Sequence, residues 1–267
     1  MMCAMTVTSH RSQRVDLVRS AAVAVLAVVQ IVVAGLAGGG LVGESVGAVA
    51  REYATPLSPA QWAFTIWGPI YVGFLAYAIY QLLPAQRERE VHRRTGWWLA
   101  ASAVLNPAWV LAFGARLVPL AELLIIALLV CLATAFGRLS RMPATGLPER
   151  VVFRGAIALY TGWVSQAVVL GTASTGVWAG LPGTGALPAI AAVVVLPAVT
   201  AVLTWVVLSG TAVVGFTAAV VWALAGIALG DAPAAVGGVA LLAIVAVLAA
   251  TGRRVSTAGS PLRAAFG

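Results

Sequence analysis

Three short patterns in this chain put aromatic rings on shared helical faces with an amide or a small side chain. At about 100° per residue, Trp67, Tyr71 and Phe74 fall at i, i+4 and i+7 and make one stripe. Asn106, Trp109 and Phe113 share a side of a second segment, and Tyr160, Trp163, Ala167 and Gly171 share a side of a third. The chemistry such faces offer is recognition. Rings stack on a flat apolar body, an amide bonds a polar edge, and Ala167 leaves space for the guest. Each face also has a plainer reading, since Trp and Tyr anchor helices at membrane interfaces and Asn106 could serve an interhelical hydrogen bond.

The elements that carry these faces are membrane helices. The chain is 61% hydrophobic and 9% charged, with a mean hydropathy of +1.01, against roughly 25% charged residues in an average soluble domain. Runs of about 20 apolar residues, enough to cross a hydrocarbon core as helix, recur at about 16–37, 61–83, 97–114, 118–137, 151–173, 187–208, 210–229 and 233–251. The fold class expected is all-α, a polytopic membrane helical bundle of about eight transmembrane helices. The break between the sixth and seventh runs is short, only Ser209 and Gly210.

The net charge of +8 comes from sixteen Arg and no Lys. Fourteen of the sixteen fall in alternate connections: Arg11, Arg14 and Arg19; Arg87 to Arg94; Arg138 to Arg154; and Arg253, Arg254 and Arg263. Only Arg51 and Arg116 fall on the other side. This positive-inside pattern puts both termini in the cytoplasm of a cell membrane and assigns the basic balance to topology and lipid headgroups, not nucleic acid. The first run is longer than a signal-peptide core, so it is expected to stay as a span.

Polar groups within the runs are few. An unsatisfied Asn106 amide would be costly in hydrocarbon. Glu122 is the one carboxylate inside a run, close enough to its end to serve as an interfacial anchor or in an ion pair in preference to a proton relay; Arg116 is nearby in sequence but, six residues away, not on the same helical face. Without Lys no Schiff base can form. His10 and His92 both fall in predicted cytoplasmic segments, which leaves an intramembrane haem iron without a His ligand. Cys3 and Cys131 imply neither a disulfide framework nor a metal cluster. No P-loop, GxSxG or HExxH occurs, which argues against a hydrolase or an ATP-driven pump.

Five runs rich in aromatic and charged residues precede three rich in Val, Ala and Leu. The expected divisions are a tail at 1–15, a five-helix unit at 16–178, a Gly/Pro connector at 179–186, a three-helix extension at 187–251 and a second tail at 252–267. Small residues four apart, Gly35 with Gly39 and Gly226 with Gly230, permit close helix contact.

The segment REYATPLSPAQWAFTIWGPIY at Arg51 to Tyr71, LNPAW at Leu105 to Trp109 and YTGWVSQA at Tyr160 to Ala167 resemble the tryptophan-rich sensory protein and translocator protein family (TspO/MBR, peripheral benzodiazepine receptor-like). The resemblance covers about residues 17–178. It departs where the paired prolines before the second helix become Pro59 and Ala60, where the Trp62-to-Trp67 spacing is one residue short, and where Leu170 and Gly171 replace a Leu-Asn pair. The resemblance implies a five-helix bundle with a pocket for hydrophobic planar ligands, porphyrins being the usual bacterial candidates. It carries Trp67, Tyr71, Asn106, Trp109, Tyr160, Trp163 and Ala167 over as ligand-binding residues.

The function expected is therefore non-covalent binding or sensing of a porphyrin-like molecule in a bacterial cell membrane. No cofactor is required, membrane lipids are the other partner, and a homodimer is compatible with these features. The alternatives are a secondary transporter of a lipophilic metabolite and, with only Glu122 and Tyr hydroxyls to work with, a membrane enzyme acting on a porphyrin or isoprenoid.

Overall fold

The structure is a computed structural model that describes residues 2–267, with side chains from Gln13 onward. The expectations for the side chains of Cys3, His10 and Arg11 lie outside the described residues. Eight apolar helices are seen among the described residues: α1 (Met2–Gly38), α2 (Trp67–Leu82), α3 (Glu90–Gly114), α4 (Val118–Ser140), α5 (Ala156–Trp178), α6 (Ala186–Ser209), α7 (Val213–Ala228) and α8 (Ala234–Thr257). Seven are long and apolar enough to cross a membrane. The exception, α7, has 16 residues, about 24 Å of helix at 1.5 Å per residue. It nonetheless joins the two ends of the bundle. The amide of Thr211, just before it, lies 3.3 Å from the Ser140 Oγ at the arginine-rich end, and the Ala60 amide donates to Gly226 O at the other end, 2.8 Å.

Two boundaries differ from the sequence reading. Helix α3 begins at Glu90, seven residues before the apolar run, because its first turns pack inside the protein and not against lipid. His92, expected in a cytoplasmic segment, is therefore fully buried, with its ring stacked on Phe153 at 5.0 Å. The turn between α6 and α7 takes three residues, Gly210 to Ala212, and Ala212 sits in the left-handed region at φ 57°. The Gly/Pro connector after α5 is a true chain reversal, with Gly180 and Gly185 at positive φ.

The helices approach most closely where side chains are smallest. A Cβ on Gly162 of α5 would lie 2.5 Å from Phe216 O of α7, and one on Gly215 would lie 2.7 Å from Gly155 O. Lipid tails are as apolar as Leu, so membrane helices associate through close packing of this kind. Gly226 likewise sits against Pro59 and Ala63, so of the two small-residue pairs noted in the sequence it is Gly226 with Gly230 that makes a helix contact. Gly35 has open space beside it. Helix α6 packs on α8 rather than on α5, its neighbour in sequence.

The arginine-rich end is tied by buried ion pairs. Asp16, midway along α1, accepts from Arg19 at 2.6 Å and from Arg93 of α3 at 2.5 Å. Glu149, in a π-helical turn (Glu149–Gly155) that leads into α5, accepts from Arg89 at 2.6 Å and from the fully buried Arg154 at 2.8 Å. At the opposite end Arg116 pairs with Glu52, 2.9 Å. The expected separation of Arg residues into two groups is thus a separation in space.

Removing one partner of a buried pair strands the other charge at a cost of about 3–5 kcal/mol. Glu149→Gln should therefore lower the thermal unfolding temperature of the detergent-solubilised protein markedly. The double variant Glu149→Gln with Arg154→Met should recover part of that loss, as read by thermal unfolding of both proteins.

Candidate ligand-binding pocket

Trp67, the first residue of α2, is the hub of the aromatic set. The segment before it, Gln61–Ile66, is a 3-10 helix, so the α-helical stripe begins at Trp67 itself. Its ring stacks on Tyr71 at 5.5 Å and tilts against Trp109 of α3 at 5.4 Å. It meets Tyr160 and Trp163 of α5 edge to face at 6.0 and 6.1 Å. The Tyr71 hydroxyl bonds Asn106 Oδ1 at 3.2 Å, which joins α2 to α3 at a fully buried amide. The structure thus brings all seven candidate residues together. Trp67, Trp109, Trp163 and Ala167 line a cavity, while Tyr71, Asn106 and Tyr160 support the ring of Trp67.

The rings largely fill the space between them. The open volume is about 40 Å³, little more than one water molecule's share of liquid, about 30 Å³. Two donors on the cavity wall, Trp163 Nε1 and Gln166 Nε2, are buried without a hydrogen-bond partner. Buried polar groups are ordinarily hydrogen-bonded, so orphaned donors on the wall of a cavity fit a guest that carries acceptors.

Sequence reasoning missed part of the wall. Gln166, Phe64, Leu196 of α6, and Ala223 and Ile227 of α7 also line the cavity. Gln166 lies inside the quoted YTGWVSQA motif, and its amide within an apolar run was the available signal. Trp222, isolated in its run, donates from Nε1 to Ala63 O at 2.8 Å and meets Trp62 edge to face at 4.8 Å. Trp62 therefore packs against α7, away from the hub at Trp67. Gln30 of α1 is a further fully buried amide without a partner.

Of the two roles expected for Glu122, the ion pair is not formed among the described residues, and Arg116 pairs with Glu52. Instead Glu122 Oε1 accepts from the Thr172 hydroxyl at 2.7 Å, and Oε2 lies unpartnered against the bare Cα of Gly171. Gly171 replaces an amide side chain in the motif comparison, and here the vacated space holds a carboxylate. Among the described residues no group of three or more His, Cys, Asp or Glu is placed to hold a metal ion.

A second, wetter cavity of about 450 Å³ lies at the end opposite the arginine-rich one. It includes Arg51, Gln61 and Asp231, and it shares Ala50, Pro59 and Phe64 with the aromatic cavity. Arg51 donates to Gln61 Oε1. This vestibule adjoins the aromatic cavity through those shared residues.

A family model described as "TSPO-like protein" matches residues 19–253. The chain belongs to that family, and the match runs past residue 178, where the motif-based resemblance stops, through α6 and α7 and most of α8. No curated protein and no solved structure matches the chain.

A methyl group on residue 171 would collide with the Glu122 carboxylate. Gly171→Ala should swing the flexible end of Glu122 away from Thr172 and so cost about 1 kcal/mol, the worth of one hydrogen bond. In the Glu122→Ala background the same Gly171→Ala change should cost nothing in a thermal unfolding assay. An equal cost in both backgrounds would show that the carboxylate is not what the methyl group displaces.

Proposed function

We propose that this TSPO-like membrane protein binds a hydrophobic planar small molecule without forming a covalent bond, with porphyrins as the ligand class. It would act as a binding or sensing protein, with both termini on the cytoplasmic side of the membrane. The observation that carries this reading is the convergence of four rings on Trp67 beside orphaned donors at Trp163 and Gln166. A macrocycle offers faces to those rings and acceptor groups at its edge to those donors.

A porphyrin is far larger than 40 Å³, so binding requires the ring set to open. Trp67 and Trp163 meet edge to face, and a guest that slides between them exchanges ring–ring contacts for ring–guest contacts of the same kind. Such pair contacts are worth about 0.5–1.5 kcal/mol each, so their exchange costs little. Arg51, which lines the vestibule and bonds Gln61, would supply a positive charge to an acidic substituent of the incoming ligand.

Titration of the purified protein with protoporphyrin, followed by Trp fluorescence, tests this reading. Saturable quenching is expected, weakened at least tenfold in affinity by Trp67→Ala, since truncating a buried aromatic at a binding site typically costs about 2 kcal/mol or more. Asn106→Ala should weaken it less. Weak, non-saturating quenching that is the same in all three proteins would overturn the proposal, and ligand-dependent flux into proteoliposomes would favour a transporter in its place.

A further inference from the structure

Because α6 packs on α8 and stands off α5, a deep apolar crevice runs between α5 and α6. It has two lobes that share Val168, Val169 and Val199. The lobe at the vestibule end measures about 550 Å³ and the lobe at the arginine-rich end about 700 Å³. Both are far larger than the closed aromatic cavity. The larger lobe is walled by α4, α5 and α6, through Leu129, Phe136, Val202 and Trp205 among others.

This lobe cannot remain vacant in a bilayer. An empty space of that size forfeits dispersion contacts along its whole lining. Water would find few partners, because the Thr161 and Ser165 hydroxyls already donate to carbonyls of their own helix at 2.6 and 2.7 Å. Hydrocarbon chains fit the lining. From Val199 at its inner limit to Ser209 at its mouth, α6 spans ten residues, or about 15 Å, the depth of one leaflet of a hydrocarbon core of roughly 30 Å.

The mouth is charged in one sense only. Arg141 lines it, is exposed, and its guanidinium has no hydrogen-bond or ion-pair partner among the described residues. Arg254 holds the carbonyl of Gly210, itself a lining residue, at 3.0 Å. No acidic residue lines the lobe. Trp205, largely exposed near the end of α6, stands at the level where indoles favour the headgroup region.

We infer that the α5–α6 crevice is a binding site for one anionic phospholipid of the adjoining leaflet, its phosphate at Arg141 and an acyl chain lying between Val168 and Val202. The inference does not rest on the ligand of the aromatic cavity. The lipid supports α6, which contributes Leu196 to that cavity.

Native mass spectrometry of the detergent-purified full chain, exchanged into equal amounts of phosphatidylglycerol and phosphatidylcholine of matched chain length, tests it. One phosphatidylglycerol retained per chain in preference to phosphatidylcholine is expected. Arg141→Gln should reduce that preference about fivefold, as expected for loss of one basic contact to an anionic headgroup, with thermal unfolding in lipid-free detergent unchanged. Val199→Trp, which fills the crevice, should abolish retention of both lipids, whereas Trp67→Ala should leave retention as it is. Equal retention of the two lipids, indifference to both crevice substitutions, or a lipid-free dimer that covers this face would each overturn the inference.

Discussion

The close approach of α7 to α5 and to the segment before α2 is the contact on which the rest of this structure depends. Hydrophobicity gives membrane helices no reason to prefer one another over lipid, so backbone proximity and the few polar groups decide which faces meet. Here Gly162 and Gly215 let α5 and α7 cross without intervening side chains, and Gly226 lets α7 lie against Pro59 and Ala63. The Ala60 amide and the Trp222 indole complete the seam. As a result the second part of the chain supplies the back wall of the aromatic cavity through Ala223 and Ile227. A five-helix bundle without it would leave Trp163 facing lipid on that side.

Much of this was legible in the sequence, and for identifiable reasons. Apolar runs reveal helices because backbone groups in hydrocarbon must bond within their own segment. The alternation of Arg revealed which connections share an end, and the Asp16 and Glu149 ion pairs are the contacts that gather them there. Helical spacing revealed the three aromatic faces. It could not reveal that they close on one another, because periodicity defines a face without saying what it meets. For the same reason Gly171 reads in the sequence as a lost amide, while in the fold it is the space into which a carboxylate from α4 projects.

Burial is what polarity could not show. His92 and Arg154 were read in a connection or at helix ends, and they lie in the first turn of α3 and in the turn into α5, where both are fully buried. His92 stacks on Phe153, and Arg154 is neutralised by Glu149 and bonded to Leu139 O at 2.7 Å. A polar residue with its partners already supplied by the protein has no need of water. The start of α3 was read seven residues late for the same reason. Hydropathy measures preference for lipid, and the first turns of α3 answer instead to protein neighbours.

The ion pairs at the arginine-rich end lock the middle of α1 to α3 and the turn into α5 to the connection between α2 and α3. The vestibule lies at the opposite end, above the rings. Such a molecule is tied at one end and open at the other. On the proposed reading, a guest settling at Trp67 would spread helices that are fixed at the far end, so its presence would be felt there only as a change in how those helices are held.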